Sequence, residues 1–299
     1  MKTILKILVL TALVLVFGCL AAPPVYWLGR SLVTSGWVPQ LEPFRFPTYF
    51  NRTVMVLGLV SVWPLLRCLG LRRWADLGLE SNPSLGADLG IGVLLGAGGF
   101  AYALSVLFLG GIVRLNDVVP WASSWTFVLT AIAVPLIEET FFRGVLLGLL
   151  RRTLRWPYAL TFLSLFFAIL HFLGPKPGGP RASGDHWYSG FEHFGQLFWQ
   201  FGEPTLVLGG WVTLFMVGWI LGYTVVRTRS LFMAMGLHGG WVLAMRFYDE
   251  FCTRVNKDNV WVGKDVRVGL AAVLLLAATY GVVFLVLKRR HPTKSSASH

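Results

Sequence analysis

Apolar residues in this chain gather into long runs separated by short polar or basic connections. Eight runs stand out, at about 4–22, 49–69, 89–112, 122–150, 157–173, 204–226, 231–247 and 266–287. Crossing ~30 Å of hydrocarbon as a helix takes about 20 apolar residues. Backbone in lipid must also satisfy its own hydrogen bonds. The pattern therefore predicts an all-α fold, a polytopic transmembrane helical bundle of about eight helices. Composition agrees, since 55% of the 299 residues are hydrophobic and only 13% are charged. An ordinary soluble domain carries about 25% charged residues.

The runs divide the chain into residues 1–48 (a first helix and external loop), a helical core at 49–287, and a basic tail at 288–299. The first run follows Lys2 and Lys6 and closes on "FGCLAAPP", which is also how a cleaved signal peptide would read. Phe17 fits a lipoprotein cleavage box poorly, and an uncleaved first helix is the expectation. Glycine is frequent in the third run, where Gly92 and Gly96 have the spacing of close helix packing. The longest loop, Gly174 to Glu203, contains "FEHFGQLFWQF", an amphipathic segment suited to a membrane interface. Its His186 and His193, with Asp185 and Glu192, are expected in a solvated or interfacial loop rather than at a metal.

Charge then sets an orientation. The formal net charge of +12 comes from short basic clusters between apolar runs, a pattern of topology signals and anionic-lipid contact rather than of nucleic-acid binding. With the N-terminus in the cytoplasm, fourteen basic residues fall in short inside segments and eleven in longer outside loops. Asp76, Glu80 and Asp88 are the acids on the inside. Both termini are accordingly expected in the cytoplasm. Cys19, Cys68 and Cys252 are scattered and form no CxxC, so neither a disulfide framework nor a zinc cluster is indicated. The thirteen tryptophans suit interfacial anchoring.

Against this background, "PLIEETFFRG" (Pro135 to Gly144) places Glu138, Glu139 and Arg143 inside the fourth run. His171 and His238 lie in the fifth and seventh. An ionisable group near the bilayer centre costs about 2.5–3.5 kcal/mol on insertion scales, and such groups generally face an internal cavity. Glu139 and Arg143 are four residues apart and share a helix face. Glu138 lies ~100° around the helix, outside that pair. Pro135 removes a backbone donor beside the site. Measured from the basic ends of their runs, Glu138, His171 and His238 reach similar depths, ~20, ~21 and ~14 Å along their helices.

A carboxylate and an imidazole can share the activation of a water, and a second imidazole can donate to the oxyanion that forms. The set suits peptide-bond hydrolysis. Neither GxSxG nor HExxH is present, so serine and zincin-type mechanisms lack support. A Glu/His/His zinc site stays chemically open, opposed by the nearby arginine. A buried structural network and a proton-coupled transporter are the competing readings of the same residues.

In this order and spacing, "EETFFRG" resembles the EExxxR motif of the CAAX prenyl protease and bacteriocin-processing (CPBP) family of intramembrane proteases. "FAILH" (Phe167 to His171) is similar to its FxxxH motif, and "LHGGWV" to its third, histidine-containing motif. The resemblance covers about residues 75–247. It implies a glutamate-dependent peptidase core within 49–287, acting on a membrane-anchored or lipidated protein or peptide, with no required cofactor or metal. It implies Glu138 as general base assisted by His171, His238 at the oxyanion, and Glu139 and Arg143 as structural support. Family members that act as immunity or peptide-binding proteins give the alternative, a catalytically silent form. Val242 stands where the family carries Asn or Asp, and the neighbouring Trp241 is expected to face the membrane. The short loops and N-terminus suggest a bacterial inner membrane, with the lipid bilayer as the other partner.

Overall fold

The computed structural model describes residues 2–77, 79–117, 125–174, 179–202, 204–255 and 269–290. Six helical stretches among them are long and apolar enough to cross a membrane, namely Ile4–Thr34, Phe46–Cys68, Leu85–Leu109, Trp125–Arg151, Gly209–Thr228 and Leu270–Arg290. The protein is an all-α, integral, multi-pass membrane protein.

The described residues include ten α-helices. They are α1 (Lys2–Thr34), α2 (Phe46–Cys68), α3 (Leu85–Leu109), α4 (Trp125–Glu139), α5 (Leu147–Arg151), α6 (Trp156–Phe172), α7 (Ser189–Gln196), α8 (Pro204–Thr228), α9 (Phe232–Phe251) and α10 (Leu270–Arg290). Two of the eight predicted spans fall outside the set of six for different reasons. α6 is apolar but has only 17 residues. α9 is long enough at 20 residues but carries Arg246, Asp249 and Glu250. It packs between α3 and α4, and a helix covered by protein need not be apolar enough to face lipid. α1 runs on to Thr34, well beyond the Pro23-Pro24 pair at which the apolar run was expected to end.

The chain forms two compact units. One comprises Met1–Arg72 and His171–Val207. Its core is built from Cys19, Ala22, Phe46, Phe50, Ala182 and Leu197. α7 lies against α1 so closely that a Cβ on Gly190 would meet the Cys19 carbonyl oxygen at 2.0 Å. The Trp27 indole N–H donates to the Gly184 carbonyl at 2.7 Å. His193, expected in a solvated or interfacial loop, is fully buried instead. Its ring meets Phe50 edge-on, with centroids 4.9 Å apart.

The other unit comprises Arg73–Leu170 and Leu208–His299. α3 and α9 meet through glycine on both sides: a Cβ on Gly92 would lie 2.4 Å from the Met233 carbonyl oxygen, and one on Gly236 would lie 2.2 Å from that of Leu89. Beyond these helices, β1 (Val113–Leu115) and β2 (Cys252–Arg254) pair antiparallel. Leu107, Val113, Phe127, Tyr248, Phe251 and Cys252 form the apolar cluster beneath them. The opposite ends of α3 and α10 are fastened by Asp88, which is buried, ion-paired with Arg290 and accepts a hydrogen bond from Asn82 Nδ2 at 2.8 Å.

Candidate active site

The fourth apolar run is helical throughout, but its winding changes inside the motif. α4 passes through Pro135 and ends at Glu139, and residues Thr140–Leu146 form a π-helical segment that hands over to α5. π-helical turns are rare and frequently mark functional sites. Arg143 lies within this segment and Glu139 at its edge.

Both groups are buried, Glu139 at 0% and Arg143 at 1% relative exposure. Arg143 Nη1 donates to Glu139 Oε1 at 2.9 Å, the i,i+4 pair that their spacing suggests. Arg143 Nη2 donates to the Gly218 carbonyl of α8 at 3.4 Å, and the guanidinium lies 4.4 Å from the ring centroid of Phe167 on α6. Phe167 opens the FAILH motif, so two motifs meet through a cation–π contact between residues 24 positions apart.

α9 brings His238 to the same carboxylate. His238 Nδ1 lies 2.8 Å from Glu139 Oε1. The approach depends on the glycines that follow: a Cβ on Gly239 would meet the Ala131 carbonyl oxygen of α4 at 2.7 Å, and one on Gly240 the Val93 carbonyl oxygen of α3 at 2.8 Å. The "HGG" triplet thus lets one helix approach two neighbours at the level of the histidine. Glu139, read from the sequence as the arginine's partner, is shared between arginine and histidine. Its Oε2 and Arg143 Nε have no hydrogen-bond partner among the described residues.

Glu138 is part-buried, next to Glu139 on α4. His171 is exposed in the last turn of α6, four residues after Phe167 and on the same helical face, and belongs to the first unit. Val242 is half-buried. Trp241, expected to face the membrane, is buried, and its indole N–H lacks a partner among the described residues. Among the described residues, His186 and His193 included, no group of three or more His, Cys, Asp or Glu is arranged to hold a metal ion.

Residues 120–244 match the family model described as Rce1-like, Type II CAAX prenyl endopeptidase Rce1-like. This segment is similar to the Rce1-like family. It carries Glu138, Glu139, Arg143, His171 and His238, and it is consistent with the CPBP resemblance of the motifs. The match supports an intramembrane peptidase function in general terms. No curated protein and no solved structure matches the chain significantly. Gly218 and Phe167, the two further residues that hold Arg143, are both inside the matched segment. Phe167 was visible in the sequence as the first residue of its motif. Gly218 carried no chemical signal, because it acts through its backbone carbonyl.

Proposed function

We propose that the protein is a glutamate-dependent intramembrane endopeptidase that hydrolyses a peptide bond in a membrane-anchored protein or peptide, in a bacterial inner membrane with both termini in the cytoplasm. The observation that carries this reading is the Glu139 carboxylate held between Arg143 and His238 in a buried setting.

In this mechanism Glu138 takes a proton from water as the water oxygen attacks the scissile carbonyl carbon. His171 assists in orienting that water. The electron pair of the broken C=O π bond goes to the carbonyl oxygen, which becomes an oxyanion. His238 donates to it through Nε2. With Glu139 ionised and accepting from Nδ1–H, donation from Nε2 puts a proton on each ring nitrogen. Glu139 is the counter-charge of that imidazolium. With both glutamates ionised, Arg143 and the imidazolium balance them, and the buried site is neutral. The proton held by Glu138 then passes to the leaving amine as the C–N bond breaks.

The unit that holds Glu138, Glu139, Arg143 and His238 also offers room for an apolar anchor. A cavity of about 760 Å³ runs along α3, α4 and α9, with Phe100, Leu104, Phe127, Leu243 and Phe247 in its lining. Two of these helices, α4 and α9, carry the Glu139–His238 contact.

The test compares the termini of membrane proteins from cells carrying the wild-type chain with those from cells carrying Glu138→Gln at equal abundance. Wild-type cells should show truncated products that are absent with Glu138→Gln. Retention of those products in the variant would falsify the mechanism. Function that survives loss of both Glu138 and His171 would point to the peptide-binding form instead.

A further inference from the structure

Aromatic side chains from three helices meet at the end of the second unit where α6 begins and α8 and α10 finish. Trp156 opens α6, and its ring centroid lies 6.3 Å from that of Tyr223 on α8. Tyr223 in turn stacks near-parallel on Phe284 of α10, at 6.4 Å and 25°. A cation stands close in sequence to each of these aromatic residues. Arg155 precedes Trp156, Arg227 lies 5.9 Å over the Tyr223 ring and donates to its hydroxyl at 3.3 Å, and Lys288 follows Phe284 by one helical turn. The acids nearby are already engaged, Glu80 with Arg229 and Asp88 with Arg290. Among the described residues no carboxylate pairs with Arg155 or Lys288.

From this we infer that Arg155, Arg227 and Lys288, over the Trp156–Tyr223–Phe284 floor, form a binding site for the headgroup of an anionic phospholipid. Three cationic donors suit a phosphate that one lysine would hold only loosely. Position favours a lipid over a soluble partner. Two of the three helices are long and apolar enough to cross a membrane, and the site lies at their ends. Trp156 and Tyr158, 42% and 64% exposed, are placed as interfacial aromatics are in membrane proteins. The site is independent of the Glu139 network and of the proposed activity.

The full chain, purified in detergent, is titrated by native mass spectrometry with phosphatidylglycerol and with phosphatidylcholine of identical acyl chains. Phosphatidylglycerol should bind at least tenfold more tightly. The single variant Arg155→Gln should weaken it about fivefold, and Arg155→Gln/Arg227→Gln/Lys288→Gln should bring it to the phosphatidylcholine level. A control with equal charge loss at exposed cations elsewhere, Arg45→Gln/Arg52→Gln/Arg114→Gln, should retain the preference. Thermal melting of each variant separates lost binding from lost fold, and the single variant decides if the triple melts early. Equal binding of the two lipids, an unchanged Arg155→Gln, or an equal loss in the control overturns the site. Displacement of the lipid by equimolar glycerol phosphate assigns it to a free anion, and displacement by polyglutamate assigns it to an acidic protein. Either displacement overturns the lipid assignment.

Discussion

Arg143 is a cation with almost no exposure to solvent, and three groups answer it: the Glu139 carboxylate, the Gly218 carbonyl and the face of Phe167. Breaking a buried pair by removing one partner leaves an uncompensated charge, at a cost of about 3–5 kcal/mol. Arg143→Met should therefore lower the thermal midpoint of the detergent-solubilised protein sharply. The pair of changes Arg143→Met/Glu139→Gln should cost less than Arg143→Met alone, because no lone charge remains; equal or greater loss in the double variant would refute the pairing energetics. His193 gives a second test at the same scale. Burial among Phe46 and Phe50 holds its imidazole below the ordinary value. The unfolded chain thus binds the proton more readily, and the stabilisation is present above about pH 6.5 and lost as pH falls through the depressed folded value. Unfolding midpoints should drop between pH 7.5 and pH 5.5, and His193→Phe should flatten that drop. The i,i+4 spacing made the Glu139–Arg143 pair legible in the sequence. The His238–Glu139 contact was not, because it joins residues 99 positions apart. The burial of His193 was hidden for a related reason: a histidine among loop-like residues reads as solvated until another helix covers it.

At the scale of elements, glycine decides how closely α3 and α9 can approach. Gly92 and Gly96 could be read in advance from their spacing, whereas Gly236 and Gly240 gain their role only from the facing helix. A methyl on Gly236 would meet the Leu89 carbonyl at 2.2 Å, while one on Gly98 has nothing within 4 Å. Overpacking typically costs about 1–3 kcal/mol, and alanine in an open helical position gains about 0.5–1 kcal/mol over glycine. Gly236→Ala should accordingly lower the melting temperature, and Gly98→Ala should leave it unchanged or raise it. Similar losses in both variants would show that close approach is not what Gly236 provides. Two elements escaped sequence reasoning for physical reasons. The π segment keeps the apolar pattern of an ordinary helix, so the altered winding leaves no periodic trace. The β1–β2 pair has three residues per strand, too few to display alternation, and its partners are brought together only by the helices between them.

For the molecule as a whole, the long apolar runs revealed the class of fold, and the basic clusters suggested an orientation. Neither indicated that the clusters also carry structural bonds. The run Lys288 to Arg290 reads in sequence as a stop signal at the end of a span, yet Arg290 pairs with Asp88, 202 positions earlier. Asp88 is buried in the first turn of α3, and its other oxygen accepts from Asn82, whose amide also reaches Ser230 just before α9. One carboxylate therefore links the C-terminal helix to the segment that leads into α3 and to the turn that starts α9, the helix bearing His238. Removal of Arg290 would leave that carboxylate buried without its cation. The expected cost is about 3 kcal/mol, at the low end for a broken buried pair because Arg290 retains part of its surface in solvent. Arg290→Gln should lower the melting temperature clearly, while Arg289→Gln, one residue away and exposed, should change it little. Asp88→Asn combined with Arg290→Gln should recover most of the loss. If Arg289→Gln and Arg290→Gln were equivalent, the end of the chain would be acting only as a charged stop, and the link between α10 and α3 would carry no stability.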